Sequence, residues 1–232
     1  MINEIEADIK DDLFLNLSLY LNQLKMDFVS ARFLFILSQY NDYNLDIIMK
    51  YVLIVDTKFK EENNIRLQLL KDSFKNFFNI LDKISVFIKR YFNLDIPVSQ
   101  VNFRNVWFRY DKINKKVIYN KINPKLVTME NKGLTALYDI YLDVEYGKNE
   151  KEYLRRTRNS LTHKYLRITN NKLDDEDKTP EELKNETIEI GNLTKNAIIY
   201  LMNLVKIHED NEEKNLDIDF EFIDGFEDIY SF

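Results

Sequence analysis

No glycine occurs before Gly133 and no proline before Pro97. These are the two residues that punctuate regular backbone, one by tolerating positive φ and the other by lacking an N–H donor. Four glycines and three prolines make up about 3% of the 232 residues, where average usage gives roughly 12%. Sheets joined by tight turns need such residues at short intervals. The scarcity therefore excludes an ordinary all-β fold and predicts nearly unbroken helix through the first third of the chain.

The apolar pattern agrees. Leu13, Leu17, Leu21, Leu24, Phe28, Ala31 and Phe35 step by three and four, one stripe of a helix lying within Glu4–Tyr40, straight or bent. Tyr51–Val55 reads equally as a strand or as buried helix. From about Glu62 to Phe92, Leu70, Phe74, Phe77, Leu81, Ile84, Ile88 and Tyr91 form a heptad-like seam that Pro97 ends. Residues 99–124 change character, with Val, Phe, Tyr and Trp107 flanking the polar run Asp111–Lys116, and predict a β-hairpin or an irregular insertion. Helices are expected to resume over Lys132–Tyr146 and Glu150–Ile168. A last long helix starts at a T-x-x-E capping box, Thr179 to Glu182, with Pro180 at its first position. Gly191 inside that helix marks close packing against a neighbour. The fold class expected is all-α, an up-and-down helical bundle with one small insertion.

Charge divides the chain unevenly. The total is −6, but residues 209–232 hold ten acidic side chains and one lysine, a local −9, which leaves residues 1–208 at +3. The expected organisation is a helical domain over 1–208 and an acidic, aromatic tail over 209–232. Carboxylates of that tail can stand where phosphates would, against a basic helix. With no cysteine and two histidines, disulfides, thiolate metal sites and a three-histidine zinc site are excluded, so no metal ligands are assigned. The acidic run Asp174–Asp177 lacks the spacing of a calcium loop and reads as solvated. No apolar run reaches the ~20 residues a bilayer needs, and no leader pattern opens the chain; a cytoplasmic location without membrane contact is expected.

Phosphate-cradling glycine loops, HExxH and Glu-x-x-His pairs are all absent. What remains is residues 151–168, where Lys151, Arg155, Arg156, Arg158, Lys164 and Arg167 face Glu152 alone, a local +5. Guanidiniums hold phosphates bidentately, and a nearby histidine can take the proton of a ribose 2′-hydroxyl, a group that DNA lacks. On this reading Arg155, Arg156, Lys164 and Arg167 bind RNA. A bare R-x(4–6)-H pattern arises by chance in roughly a fifth of sequences of this composition; requiring Asn directly after the Arg lowers that to roughly 1%. A solvated basic face with an incidental histidine is the competing reading. His208, on the stripe of the last helix, and Trp107 are assigned to packing.

Arg158-Asn159-x-x-x-His163 on the penultimate long helix resembles the signature of HEPN domains. The phrases FNILDKISVFI (77–88), NKGLTALYDIYLDV (131–144) and RNSLTHKYL (158–166) are most similar to the LA2681-like HEPN subfamily. The resemblance implies a four-helix core, a homodimer with facing motifs, and RNA cleavage that needs neither metal nor cofactor and leaves a 2′,3′-cyclic phosphate. It implies a setting in toxin–antitoxin systems or antiviral defence. Carried over, His163 is the proton-transfer group, Arg158 the phosphate stabiliser and Asn159 a positioning residue; Arg156-x6-His163 also satisfies the looser spacing. The alternative within the family is a non-catalytic scaffold that binds RNA or a protein partner. The R-x4-H-x-Y continuation implies that Tyr165 is an adenylylation target of a partner minimal nucleotidyltransferase acting as antitoxin, against a plain packing role. At 100° per residue Asn159 lies 40° from His163 but Arg158 lies 140° from it, so one straight helix aims the two at different places and a second copy is expected to complete the site.

Overall fold

A computed structural model describes residues 2–40, 45, 47, 64–146 and 151–211. Six helices and one two-stranded antiparallel sheet form it: α1 (Ile2–Gln39), α2 (Ile65–Tyr91), β1 (Phe108–Asp111), β2 (Lys116–Ile122), α3 (Pro124–Val127), α4 (Lys132–Tyr146), α5 (Glu152–His163) and α6 (Pro180–Asn211). The fold is the expected mostly-helical bundle, and the first helix is continuous. The Tyr51–Val55 run and the tail from residue 212 lie outside the described residues, as do the side chains before Leu17.

The seam on α2 is the centre of the bundle. Phe74, Phe77, Ile84 and Ile88 are completely buried. α1 runs antiparallel along one side of it, laying down Leu17, Leu21, Leu24, Phe28, Ala31 and Phe35, all buried. Polar contacts hold that alignment: Ser73 donates to the Ala31 carbonyl at 2.8 Å, Tyr20 donates to the Lys83 carbonyl at 3.0 Å, and Lys83 pairs with Asp27 at 2.5 Å. α6 lies parallel to α2 on another side. There Thr194 donates to the Phe77 carbonyl at 3.2 Å, and His208 meets the Tyr91 hydroxyl at 2.9 Å with its ring edge-on to Tyr91 and Phe92. His208 thus takes the packing position expected of it.

The caps are where the sequence places them. Asn64 accepts from the Leu67 N–H at 2.8 Å to start α2. At α6 the Thr179 N–H donates to Glu182 at 2.7 Å, and the Glu182 N–H donates to the Thr179 hydroxyl at 3.1 Å, both halves of the capping box.

Residues 108–122 form the hairpin, with Tyr110 opposite Val117 and Asp111 opposite Lys116. Asp111 closes the turn by accepting from the N–H groups of Ile113 and Asn114, and Lys115 completes it with φ at 51°. Trp107 anchors the hairpin: it is 1% exposed, donates to the Phe103 carbonyl at 2.7 Å and packs edge-on against Tyr138.

Helix–helix approach is closest at the two glycines. A Cβ on Gly191 would meet the Phe77 ring at 3.2 Å, which accounts for a glycine inside a helix. A Cβ on Gly133 would meet backbone of α6, Leu204 N at 2.5 Å and the Tyr200 carbonyl at 2.6 Å. Asn131 seals the same junction, capping the Leu134 N–H at 3.1 Å and donating to the Leu204 carbonyl at 2.8 Å. The two sites predict different tolerances. Gly133→Ala forces backbone apart and should lower unfolding free energy by about 2–3 kcal/mol in urea denaturation. Gly191→Ala gains about 1 kcal/mol of helix propensity against a small ring displacement and should stay within about 1 kcal/mol of wild type.

Candidate functional site

α5 is a short polar helix with only Leu154 and Thr157 fully buried. It is seated largely by polar contacts. Thr157 donates to Glu186 at 2.7 Å, and the other oxygen of Glu186 pairs with Lys178 at 2.5 Å. Tyr153 donates to Glu189, which also pairs with Lys151 at 3.2 Å. Burial and the Glu189 carboxylate together push the Tyr153 phenol well above its ordinary value, so it stays a donor.

Arg158 turns inward to α2. Its guanidinium pairs with Asp82 at 2.5 Å and lies 5.6 Å from the centre of the Phe78 ring. The second oxygen of Asp82 accepts from the Phe103 N–H at 2.9 Å, so one carboxylate ties α2, α5 and the start of the insertion together. Asp82 lies 40° round α2 from buried Phe78, an acid on an apolar face, and that was the signal in the sequence for its role. Arg155 pairs with Glu152 at 3.1 Å and lies 3.7 Å from Glu145 at the end of α4. Burial holds the Glu145 carboxyl above the usual range despite the arginines around it. Arg156, Asn159 and His163 are exposed. Among the described residues no hydrogen bond or ion pair restrains His163. Arg158 and His163 therefore point to different places within one chain, as the angular argument expects.

The helix does not reach Ile168. It ends at His163, and Lys164 leaves it in extended conformation. The cause is a small closed structure in the following segment. The Thr169 N–H donates to the Lys178 carbonyl at 2.8 Å and the Lys178 N–H to the Arg167 carbonyl at 3.1 Å, while Leu166 and Ile168 are buried. This corrects the expected places of three residues. Arg167 is not beside His163 on an open helix face; it makes a two-pronged contact with Asp177, at 2.9 and 2.7 Å. Tyr165 is not packed: it is 71% exposed, which removes the packing alternative. Asp177 is not solvated with its acidic neighbours but 4% exposed, also accepting from the Leu173 and Asp174 N–H groups. Lys164 stays on the surface beside Glu176 at 3.7 Å. Among the described residues no group of three or more His, Asp or Glu side chains is placed to hold a metal, and no helix is long and apolar enough to cross a membrane.

With this geometry the comparison with known families is direct. The model of the LA2681-like HEPN family matches residues 10–208. The chain belongs to that family. The match takes in α5 with its Arg158-Asn159-x-x-x-His163 motif, the hairpin and the whole of α2. No curated protein and no solved structure is significantly similar to it. Membership in a HEPN family is consistent with RNase-type or nucleotide-binding activity.

The Arg167–Asp177 contact that ends the helix makes a pH prediction. The Arg167 guanidinium, with the backbone donors, holds the Asp177 carboxyl below its ordinary value. Its stabilising contribution is therefore present above the unfolded-state value, about pH 4, and is lost as pH falls through the lower folded-state value. Thermal unfolding of Asp177→Asn should lie below wild type at neutral pH, and the two curves should converge in stronger acid.

Proposed function

We propose that this HEPN protein is an endoribonuclease whose site is completed by two copies of the chain. His163 takes the proton of a ribose 2′-hydroxyl; the freed oxygen attacks the adjacent phosphorus; the 5′-oxygen of the next nucleotide leaves and is reprotonated. The products are a 2′,3′-cyclic phosphate and a 5′-hydroxyl end, and the balance needs no metal or cofactor. Arg158 stabilises charge on phosphorus. Asp82 occupies one of its donors, and a guanidinium has five. Asn159, one turn before His163 on the same side of α5, positions the phosphate, with Arg156 and Lys164 on the open surface as further RNA contacts.

The observation that carries this reading is the exposed, unrestrained imidazole at the last residue of α5, one turn from Asn159 and beside inward-facing Arg158. A homodimer that brings this helix against its symmetry mate supplies the missing Arg–His pairing. The Arg158–Asp82 pair favours the second reading, a non-catalytic scaffold in which that arginine is structural. A toxin or defence role in the cytoplasm and an antitoxin partner, such as a minimal nucleotidyltransferase, extend the first reading. Exposed Tyr165, two residues beyond His163, is then the acceptor for adenylylation.

Incubation of the purified protein with total RNA separates the readings. Cleavage is expected to survive EDTA, and His163→Ala should reduce it by about 10²–10⁴-fold without shifting thermal unfolding. Mixing inactive His163→Ala with inactive Arg158→Ala should restore part of the activity, since a mixed dimer holds one intact composite site. Unchanged cleavage by His163→Ala, or none by wild type, sinks the nuclease. Mass spectrometry after co-expression with a neighbouring nucleotidyltransferase should find the nucleotide on Tyr165.

A further inference from the structure

The insertion carries a charge that the nuclease reading leaves unassigned. Residues 99–125 hold seven lysines and arginines against Asp111 alone, net +6, more than the +5 of residues 151–168. Arg109, Lys115, Lys116 and Lys121 are exposed on the hairpin. The two basic elements meet at a cleft of about 160 Å³, where Arg104 from the insertion faces Arg155 and Arg158 from α5, with Asn102 and Asn159 also lining it.

The cleft has an incomplete interior. Glu145 lies between the two outer arginines, its carboxylate 3.9 Å from Arg104 Nε and 3.7 Å from Arg155 Nε. Both distances are too long for hydrogen bonds, and both Nε–H groups are buried without an acceptor. Counting Asp82, three guanidiniums face two carboxylates, leaving one positive charge in excess. Arg104 is pre-aimed: its guanidinium lies 4.7 Å from the centre of the Tyr119 ring, which is itself held by a 3.0 Å bond from its hydroxyl to Asn105 and by the edge of Phe108. An acceptor with several oxygens entering the cleft would meet both unmatched donors. It would compete with a Glu145 carboxylate whose charged form burial already penalises.

The geometry points to a phosphate-binding subsite in which Arg104 of the insertion and Arg155 of α5 grip one phosphodiester of single-stranded RNA, making the hairpin a second arm of the RNA surface. The choice of RNA rests on the nuclease reading. Asn159 lines this cleft and shares the His163 side of α5, so a strand held here passes directly to the imidazole.

The test is binding of the full chain to a fluorescent single-stranded oligonucleotide with 2′-O-methyl riboses, which cannot be cleaved, across a salt series. Arg104→Met keeps the apolar stem and should leave thermal unfolding unchanged while weakening binding roughly tenfold and reducing the salt slope by about 0.7, the share of one phosphate contact. Arg155→Met should do the same, and His163→Ala should bind like wild type. Unchanged affinity and slope in Arg104→Met overturns the subsite while leaving the His163 chemistry standing. Absence of cleavage by wild type sinks the nuclease but leaves this measurement intact. Arg104-dependent binding of inorganic phosphate by a wild-type protein that does not hold the oligonucleotide assigns the cleft to a free anion and overturns the RNA arm.

Discussion

Phe77 is the point on which the bundle closes. Its ring lies 5.5 Å from Phe28 of α1, its edge fills the space that Gly191 leaves on α6, and its carbonyl receives the Thr194 hydroxyl. Three helices thus converge on one fully buried side chain, and close packing of this kind is intolerant of lost or added volume. The rest follows from that closure. With α1 and α6 fixed against α2, Gly133 and Asn131 determine where α4 starts. The end of α4 brings Glu145 to the cleft, and the remaining side of α2 receives α5.

α5 differs from the other long elements in what holds it. The bundle helices are seated by apolar stripes, whereas α5 rests on Thr157–Glu186, Tyr153–Glu189 and Arg158–Asp82 with a small apolar contribution from Leu154 and Leu161. Directional contacts set rotation about a helix axis more sharply than an apolar stripe does. Three of them on the inner side leave Asn159 and His163 no option but the outer one, and the same rotation turns Arg158 inward.

The bundle was legible because a single physical signal, apolar spacing without glycine or proline, specifies helices and their buried faces together. The α1 and α2 stripes, the capping box at Thr179, the Gly191 contact and the hairpin turn around Asp111–Lys116 were all local patterns. The misplaced end of α5 had a different origin. Leu161, Leu166 and Ile168 keep an apolar character past His163, and the helix pattern and the buried extended segment look alike over so short a run. What ends the helix is the pairing of Arg167 with Asp177, ten residues apart, and periodicity carries no information about it. Asp82, Glu145 and Arg104 were missed for the same reason. Each acquires its role from a partner on another element, although an acid on the apolar face of α2 was a visible anomaly. The glycine at 133 was the subtler miss, because a glycine near a helix start has an ordinary local explanation.

The polar seating of α5 has a consequence for motion. Amides along the middle of α2 are covered on several sides, so their hydrogens should exchange with solvent only when the whole bundle unfolds. α5 has two fully buried side chains and rests on ion pairs and hydroxyl bonds that water can replace. It belongs to the low-stability end of the molecule, a segment able to lift from Glu186, Glu189 and Asp82 while Phe77 and its neighbours stay closed. The helix that bears Arg158 and His163 is thereby the one element free to reorient without cost to the core.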